Sequence, residues 1–547
     1  MLISGLVLTG IGPLCVAREA DEQPGEWRIT PRLSVGMTYS DNINLAPADE
    51  AEGDLVLQVD PGVSIRKRGG RLDLRLDYTA QGLLYTQQGE AKVNNNLLAF
   101  GTGELYQDHL FLDVYGSISQ VPVTSGGRVD AGNLGFNSGG LGGGLGFLSN
   151  LNLDVLPGAS EVFSPIGIFS NIALVDDQTT QANFGISPYW RQDFGGWAKG
   201  LLRYTYSDTG YGQSGFDSQI NSIQFNLDSG RRFSRLTWSL AYSYQQQDGQ
   251  QGGQEGDNTI QGGGNTRQES LSAQANYKLS NAWALAAEAG YDDNTGYVDN
   301  RNGAYWGLGA LWSPTRFYSL TGLYGLNFNK AAVQWNPSPR TGLQVSRTYQ
   351  GVGTSPGVYW NGSFNYKTRF STWSASYTQE VTTVQELLGN SLTGLGPDGQ
   401  PIALDDQGQI IVPGGPLGLT NQPFLRKYFN AAVTYRRGRN ALGFNAFSEN
   451  REFQDTDLNN EDTYGAGAIW TWRFAPRTAS FLGTGWEHDD LGDDQQNDYW
   501  VSVLGLARLF TPDSGGLISY RYYQNDANPS DQGFRENRLN VRFSMKF

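Results

Sequence analysis

Large apolar and polar side chains alternate in this chain from about residue 29 to its last residue. The final segment shows it best: Leu539, Val541, Phe543, Met545 and Phe547 interleave with Arg538, Asn540, Arg542, Ser544 and Lys546. Leu72, Leu74, Leu76 and Tyr78 do the same against Arg71, Asp73, Arg75 and Asp77. Further along come Leu236, Trp238, Leu240, Tyr242 and Tyr244, then Val358, Trp360, Phe364 and Tyr366, then Tyr464, Ala466, Ala468, Trp470, Trp472 and Phe474. Successive side chains of a strand point to opposite faces, so each segment, about 10 to 14 residues long, predicts a strand with one apolar and one polar face.

The connections between these segments alternate as well. Tight ones such as Gly69-Gly70, Gly195-Gly196, Asn281-Ala282, Pro314-Thr315, Pro476-Arg477 and Pro512-Asp513 take turns with longer stretches rich in Asp, Asn, Gln and Gly. Short turns at one end and long loops at the other are what an antiparallel sheet needs if it is to close within a membrane, which tolerates no open edge. The expected fold is all-β: a transmembrane, up-and-down antiparallel barrel of about 24 strands (range about 20 to 26) with no separate plug domain. Its even strand number puts both termini on the periplasmic side of a Gram-negative outer membrane. A terminal strand ending in Phe543, Met545 and Phe547 matches the assembly signal that barrel insertion machinery reads. A soluble propeller would repeat a blade motif, and none is present.

Composition narrows the choice. Of 547 residues, 72 are glycine, 12% are aromatic and only 17% are charged, which disfavours helices and suits strands. No apolar run is long enough for a helical membrane span. Residues 1–17 read as a secretory signal peptide, although no basic residue precedes Arg18. Residues 18–28 then form a short periplasmic segment and residues 29–547 the barrel. The single cysteine, Cys15, lies in the signal, so the mature chain has no thiol for disulfides, metal binding or catalysis.

If the bulky stripe faces lipid, the other parity lines the lumen, where roughly sixteen basic residues stand against about nine acidic ones. The candidate pore-lining basic residues are Arg32, Arg66, Arg71, Arg75, Arg191, Lys199, Arg203, Lys278, Lys367, Arg436, Arg473, Arg521, Arg538 and Arg542. The net charge of −15 then places the acids elsewhere, and long loops are expected to hold Asp292, Asp293, Glu449, Glu452, Asp455, Asp457, Asp489, Asp490, Asp493 and Asp494. A basic interior would favour anions, either small solutes or an acidic polymer. Pairing with Asp73 and Asp77, or contact with lipid head groups, is the alternative role for these arginines. Two connections, 121–176 and 385–425, exceed what hairpins need. Both are expected to be long extracellular loops, either decorating the surface or folding inward to narrow the pore.

Catalytic motifs find no support. Gly353-Thr354-Ser355-Pro356-Gly357 matches a nucleophile elbow but has no helix after it, and Gly394 to Gly399 matches a phosphate loop with the same lack. The stretch from Asp455 opens like a calcium loop, yet Asn460 and Ala466 stand where Gly and Glu are required. His109 and His488 fall at opposite ends of the expected barrel. An enzyme, a cofactor, a bound metal and a nucleic-acid partner are therefore not expected.

The opening strand, Thr30 through Ile43 with its Tyr39-Ser40-Asp41-Asn42 step, resembles the β-barrel porin type 2 group. More narrowly, it is similar to outer-membrane proteins associated with the PEP-CTERM/exosortase system. The resemblance implies a barrel that helps export an extracellular polysaccharide or anchor it at the surface, and it transfers no functional residues. Its partners would be outer-membrane lipids and lipopolysaccharide, the barrel assembly machinery and polysaccharide export machinery. Two other readings stay open: a diffusion porin for small anionic or sugar-like solutes, and a non-conducting scaffold barrel for a periplasmic partner.

Overall fold

The computed structural model describes residues 26–122, 155–163, 172–175, 178–212, 217–249, 265–384, 387, 422–454, 459–492, 495–528 and 533–547. Twenty-four strands form one antiparallel sheet, each pairing with its neighbours in sequence. The first, β1 (Trp27–Ser40), also pairs with the last, β24 (Phe534–Lys546), so the sheet closes on itself. The expected architecture is therefore the one found.

Strands run from 9 residues in β13 (Tyr318–Leu326) to 16 in β4 (Ala91–Tyr106), β6 (Gln178–Asp193) and β22 (Gln496–Thr511). Five of the described strands, β4, β6, β22, Glu461–Ala475 and Ser514–Asn528, exceed the expected length of about 10 to 14 residues, and backbone pairing at the long-loop end continues past the apolar stripe. As a result Asp292 and Asp293 belong to β11 (Trp283–Thr295), Glu449 and Glu452 to β19 (Asn440–Phe453), and Asp489 and Asp490 to β21 (Thr478–Asp490). Their expected place in loops is corrected. Asp455, Asp457, Asp493 and Asp494 lie outside the described residues, as does Gly394 to Gly399.

The two faces of the wall differ as the alternation predicts. On β22 and β24, Leu504 is 55% exposed and Val541 41%, whereas Arg542 is 5% exposed. Trp470, Trp472, Leu482, Tyr520 and Leu539 continue the exposed apolar face, which is the outer one. The opposite face, where side chains converge, carries buried Thr38, Ser40, Gln58, Asn540 and Ser544.

The closing seam is held by the Asp41-Asn42 step. Asp41 accepts hydrogen bonds from the backbone N–H and the side-chain amide of Asn537, both at 2.7 Å. Buried Asn42 donates through Nδ2 to the carbonyls of Ala46 (2.7 Å) and Arg535 (3.0 Å), and its Oδ1 accepts from the Ala46 N–H. At the other end of the seam the Phe547 N–H donates to the Pro31 carbonyl at 2.9 Å. Phe543 and Phe547 are exposed on the outer face and Met545 is half-buried.

Candidate functional site in the lumen

The inner face is a set of ion pairs, not a field of unpaired arginines. Near the long-loop end, β17 (Ser371–Thr382), β18 (Phe424–Arg437), β19 and β20 (Glu461–Ala475) each contribute one or more charged side chains to a buried chain. Arg426 binds Glu449 through Nε and Nη2, both at 3.1 Å, and lies 3.8 Å from Glu380. Arg451 bridges Glu449 and Glu461 at 2.7 Å each. Charges removed from water are tolerated only when paired in this way, and forked guanidinium contacts to carboxylates are among the strongest pairs.

Two smaller groups stitch the seam, and a third lies beside it. Glu536 accepts from Arg521 of β23 (Ser514–Asn528) at 3.1 Å, from Arg538 at 2.7 Å and from the Ser40 hydroxyl at 2.6 Å. Arg542 lies 3.6 Å from Asp60 of β2 (Asp54–Lys67), whose carboxylate also accepts from Gln58. Arg32 of β1 reaches Asp77 of β3 (Leu72–Tyr85) at 3.1 Å, and Arg75 reaches the same carboxylate at 2.9 Å. Elsewhere Arg203 pairs with Asp113 at 2.7 Å and stacks over Tyr189, while Lys330 lies 3.3 Å from Glu288.

The fourteen basic residues singled out in the sequence thus separate into two sets. Arg32, Arg75, Arg203, Arg521, Arg538 and Arg542 are held by carboxylates. Arg71, Arg191, Lys199, Lys278, Lys367 and Arg436 are exposed near the short turns, and Arg66 and Arg473 are half-buried there. The carboxylates that hold the first set are Asp60, Asp77, Asp113 and Glu536, and pairing with Asp77 was one of the roles the sequence left open. Arg426, Arg451 and Lys330 were missed, although their inward parity was available from the alternation.

A second feature of the interior comes from the connection between β5 (Leu110–Pro122) and β6. These strands end and begin at the long-loop end, yet Val155, Leu156, Ala159, Val162 and Phe163 lie near the short turns. There they bury against Ala441, Ile469, Ala479, Phe481, Val503, Ala507, Leu509 and Leu517 on the inner face of β19–β23. A one-turn helix, α1 (Ala159–Val162), is entered through Gly158 at φ 83°, a left-handed conformation that glycine adopts without steric cost. Residues 172–175 of the same connection return to the long-loop end, where Ile172 packs with Ile43, Val56, Leu83 and Tyr85. The Leu174 N–H donates to the Ile43 carbonyl at 2.9 Å, and the Tyr85 hydroxyl to the Ile172 carbonyl at 2.9 Å. Of the two roles open to residues 121–176, these described parts take the inward one. Residues 388–421 of the second long connection lie outside the described residues.

Of the discounted motifs, Gly353 and Thr354 line a small cavity with Gln350, Tyr359 and Glu380, beside the ion-pair chain. Gly353 to Pro356 form the tight connection before β16 (Gly357–Lys367), with no helix following. His109 sits in a short turn, and His488, 3.0 Å from Asp498, near the long loops.

No known protein family matches this sequence, and no curated protein does. Solved structures align with the chain at low similarity. The siderophore receptor PirA from Pseudomonas aeruginosa aligns at 8% identity and a TM-score of 0.41, over 96% of this chain and 81% of that one. The FrpB iron transporter from Neisseria meningitidis aligns at 11% identity and 0.42, over 95% and 81%. The ferric enterobactin receptor PfeA from Pseudomonas aeruginosa aligns at 10% identity and 0.43, over 96% and 81%. Similarity at this level leaves the chemistry of the lumen to be argued from this chain's own residues.

Proposed function

We propose that this chain is an outer-membrane channel for a hydrophilic polymer, an extracellular polysaccharide, with the β5–β6 connection narrowing its lumen. The outward apolar belt supports embedding in a bilayer, since a closed barrel satisfies its own backbone and needs only lipid outside. The observation that carries the channel reading is the segment 155–163 seated inside the wall. A barrel of 24 strands is too wide for its own side chains to fill, and a built-in segment restricts it without a separate domain. Toward the long-loop end the ion pairing of the inner wall leaves mostly amides, hydroxyls and compensated charge, which suits a polymer of sugar hydroxyls as well as an acidic one. The resemblance of the opening strand to polysaccharide-associated barrels points the same way. Lipopolysaccharide, the assembly machinery and polysaccharide export machinery are the corresponding partners.

A second reading, a diffusion porin for small anions, is favoured by the exposed Arg71, Lys199 and Lys278 near the short turns. Single-channel conductance in planar bilayers separates the two. Wild-type protein is expected to conduct weakly and with little ion selectivity. Leu156→Asp with Phe163→Asp, which unseats the segment, is expected to raise conductance severalfold. A large, anion-selective wild-type conductance would support the porin, and silence of both proteins would support the scaffold. Loss of polymer secretion in a deletion strain, restored by the intact gene, is the expected cellular result.

A further inference from the structure

The outer side of the short-turn rim holds an arrangement that the lumen does not explain. Phe370 lies in the tight connection between β16 and β17, exposed. Two guanidinium groups stand over its ring: that of Arg369 at 5.1 Å from the centroid, and that of Arg437, at the end of β18, at 5.4 Å. Both arginines are exposed, and no ion pair among the described residues involves either of them.

Two cations sharing one aromatic ring repel each other, and the ring's quadrupole offsets this only in part. A guanidinium stacked flat on a ring still presents its in-plane N–H donors, and these match the oxygens of a phosphate. Beside the rim on the outer face, Tyr366 and Trp373 are cross-strand partners, 41% and 44% exposed. They offer an apolar wall directly alongside the cationic pair. A free anion would use only the guanidinium groups, whereas a phospholipid would use both surfaces.

We propose that Arg369, Phe370 and Arg437 form a seat for the phosphate of an anionic phospholipid whose acyl chains lie along Tyr366 and Trp373. Elsewhere on the outer side of the rim a ring meets a single cation: Arg232 over Trp197 and Arg316 over Phe317, both at 4.7 Å, and Lys67 over Trp27 at 4.8 Å. Tyr189 also lies under two guanidinium groups, those of Arg203 and Arg191, but it is buried on the inner face and Arg203 is paired with Asp113. The doubled site is therefore where a preference for anionic lipid concentrates. The proposal rests on the barrel lying in a bilayer, not on what passes through it.

The test is native mass spectrometry of the full barrel in detergent, supplied with phosphatidylglycerol or phosphatidylcholine. Wild-type protein is expected to retain the anionic lipid preferentially. Arg369→Gln with Arg437→Gln is expected to lower that retention roughly tenfold, the equivalent of about 1.4 kcal/mol. Inorganic phosphate at equal concentration is expected not to displace the lipid. Equal retention of both lipids by wild type, unchanged retention in the variant, or full displacement by inorganic phosphate would each overturn the proposal. Should the double variant fail to fold, Arg437→Gln alone gives the same readout. Because binding is read without conductance, a silent channel leaves this result independent.

Discussion

The two ends of the barrel use the same side chain for opposite purposes. Toward the long loops, Arg426 and Arg451 are 3% exposed and are locked to Glu449, Glu461 and Glu380. At the short turns, Arg369 and Arg437 lie in the open on one aromatic ring, and among the described residues no carboxylate pairs with either. Inside, arginine is part of the wall's cohesion and cannot be spared. At the rim it contributes little to the fold and is available to something outside the chain. Alternation of side chains tells where an arginine points; only the residues that meet it tell what it does.

The contrast can be broken most forcefully at Glu449. Glu449→Gln leaves two buried guanidinium groups short of a shared anion, and the expected loss is about 3 to 5 kcal/mol, read as a lower temperature of conversion from the folded to the unfolded form on gels. An unchanged transition would mean that water reaches the cluster and the pairing is incidental. An arginine placed where neither kind of partner exists is expected to cost somewhat less. Leu504→Arg, in the middle of the outer face of β22, should destabilise the inserted barrel by about 2 to 4 kcal/mol. Tolerance there would reverse the assignment of faces. The smallest effect belongs to the rim, where Arg369→Gln with Arg437→Gln should shift stability by less than about 0.5 kcal/mol. A large loss would show that these arginines hold the hairpins together and would remove the contrast.

Much of the wall was legible because period two needs no long-range information. Leu539, Val541 and Phe543 announce an outward face on their own, and the alternation of tight and long connections gives closure. Pairing is different: Asp60 and Arg542 are far apart in the chain, and only the seam brings them together. The placing of Glu449, Asp489 and Asp292 in loops fails for a related reason. They lie beyond the apolar stripe and so read as loop, while the hydrogen-bonded ladder extends through them. The inward course of the β5–β6 connection had a usable signal. On β21 to β23 both parities turn apolar, with Phe481 beside Leu482 and Leu509 beside Phe510, although a lumen face should be polar there. Val155, Leu156, Val162 and Phe163 supply the matching patch within an otherwise glycine-rich stretch. Neither half says by itself that it will meet the other.

The seam has a consequence for the order of events in biogenesis. The bonds from Asp41 and Asn42 to Asn537 and Arg535 join positions almost 500 residues apart. Their formation must wait until nearly the whole polypeptide is made, because β1 has no other partner on that side. Until then the growing sheet has two unpaired edges that can add strands from any neighbouring chain. A transcript cut short before Phe534 would yield a sheet of many strands that cannot shut, a species prone to aggregate rather than a smaller pore. Contacts of such long range also slow folding, so those edges stay open for longer than the surfaces of a compact helical protein of equal size would.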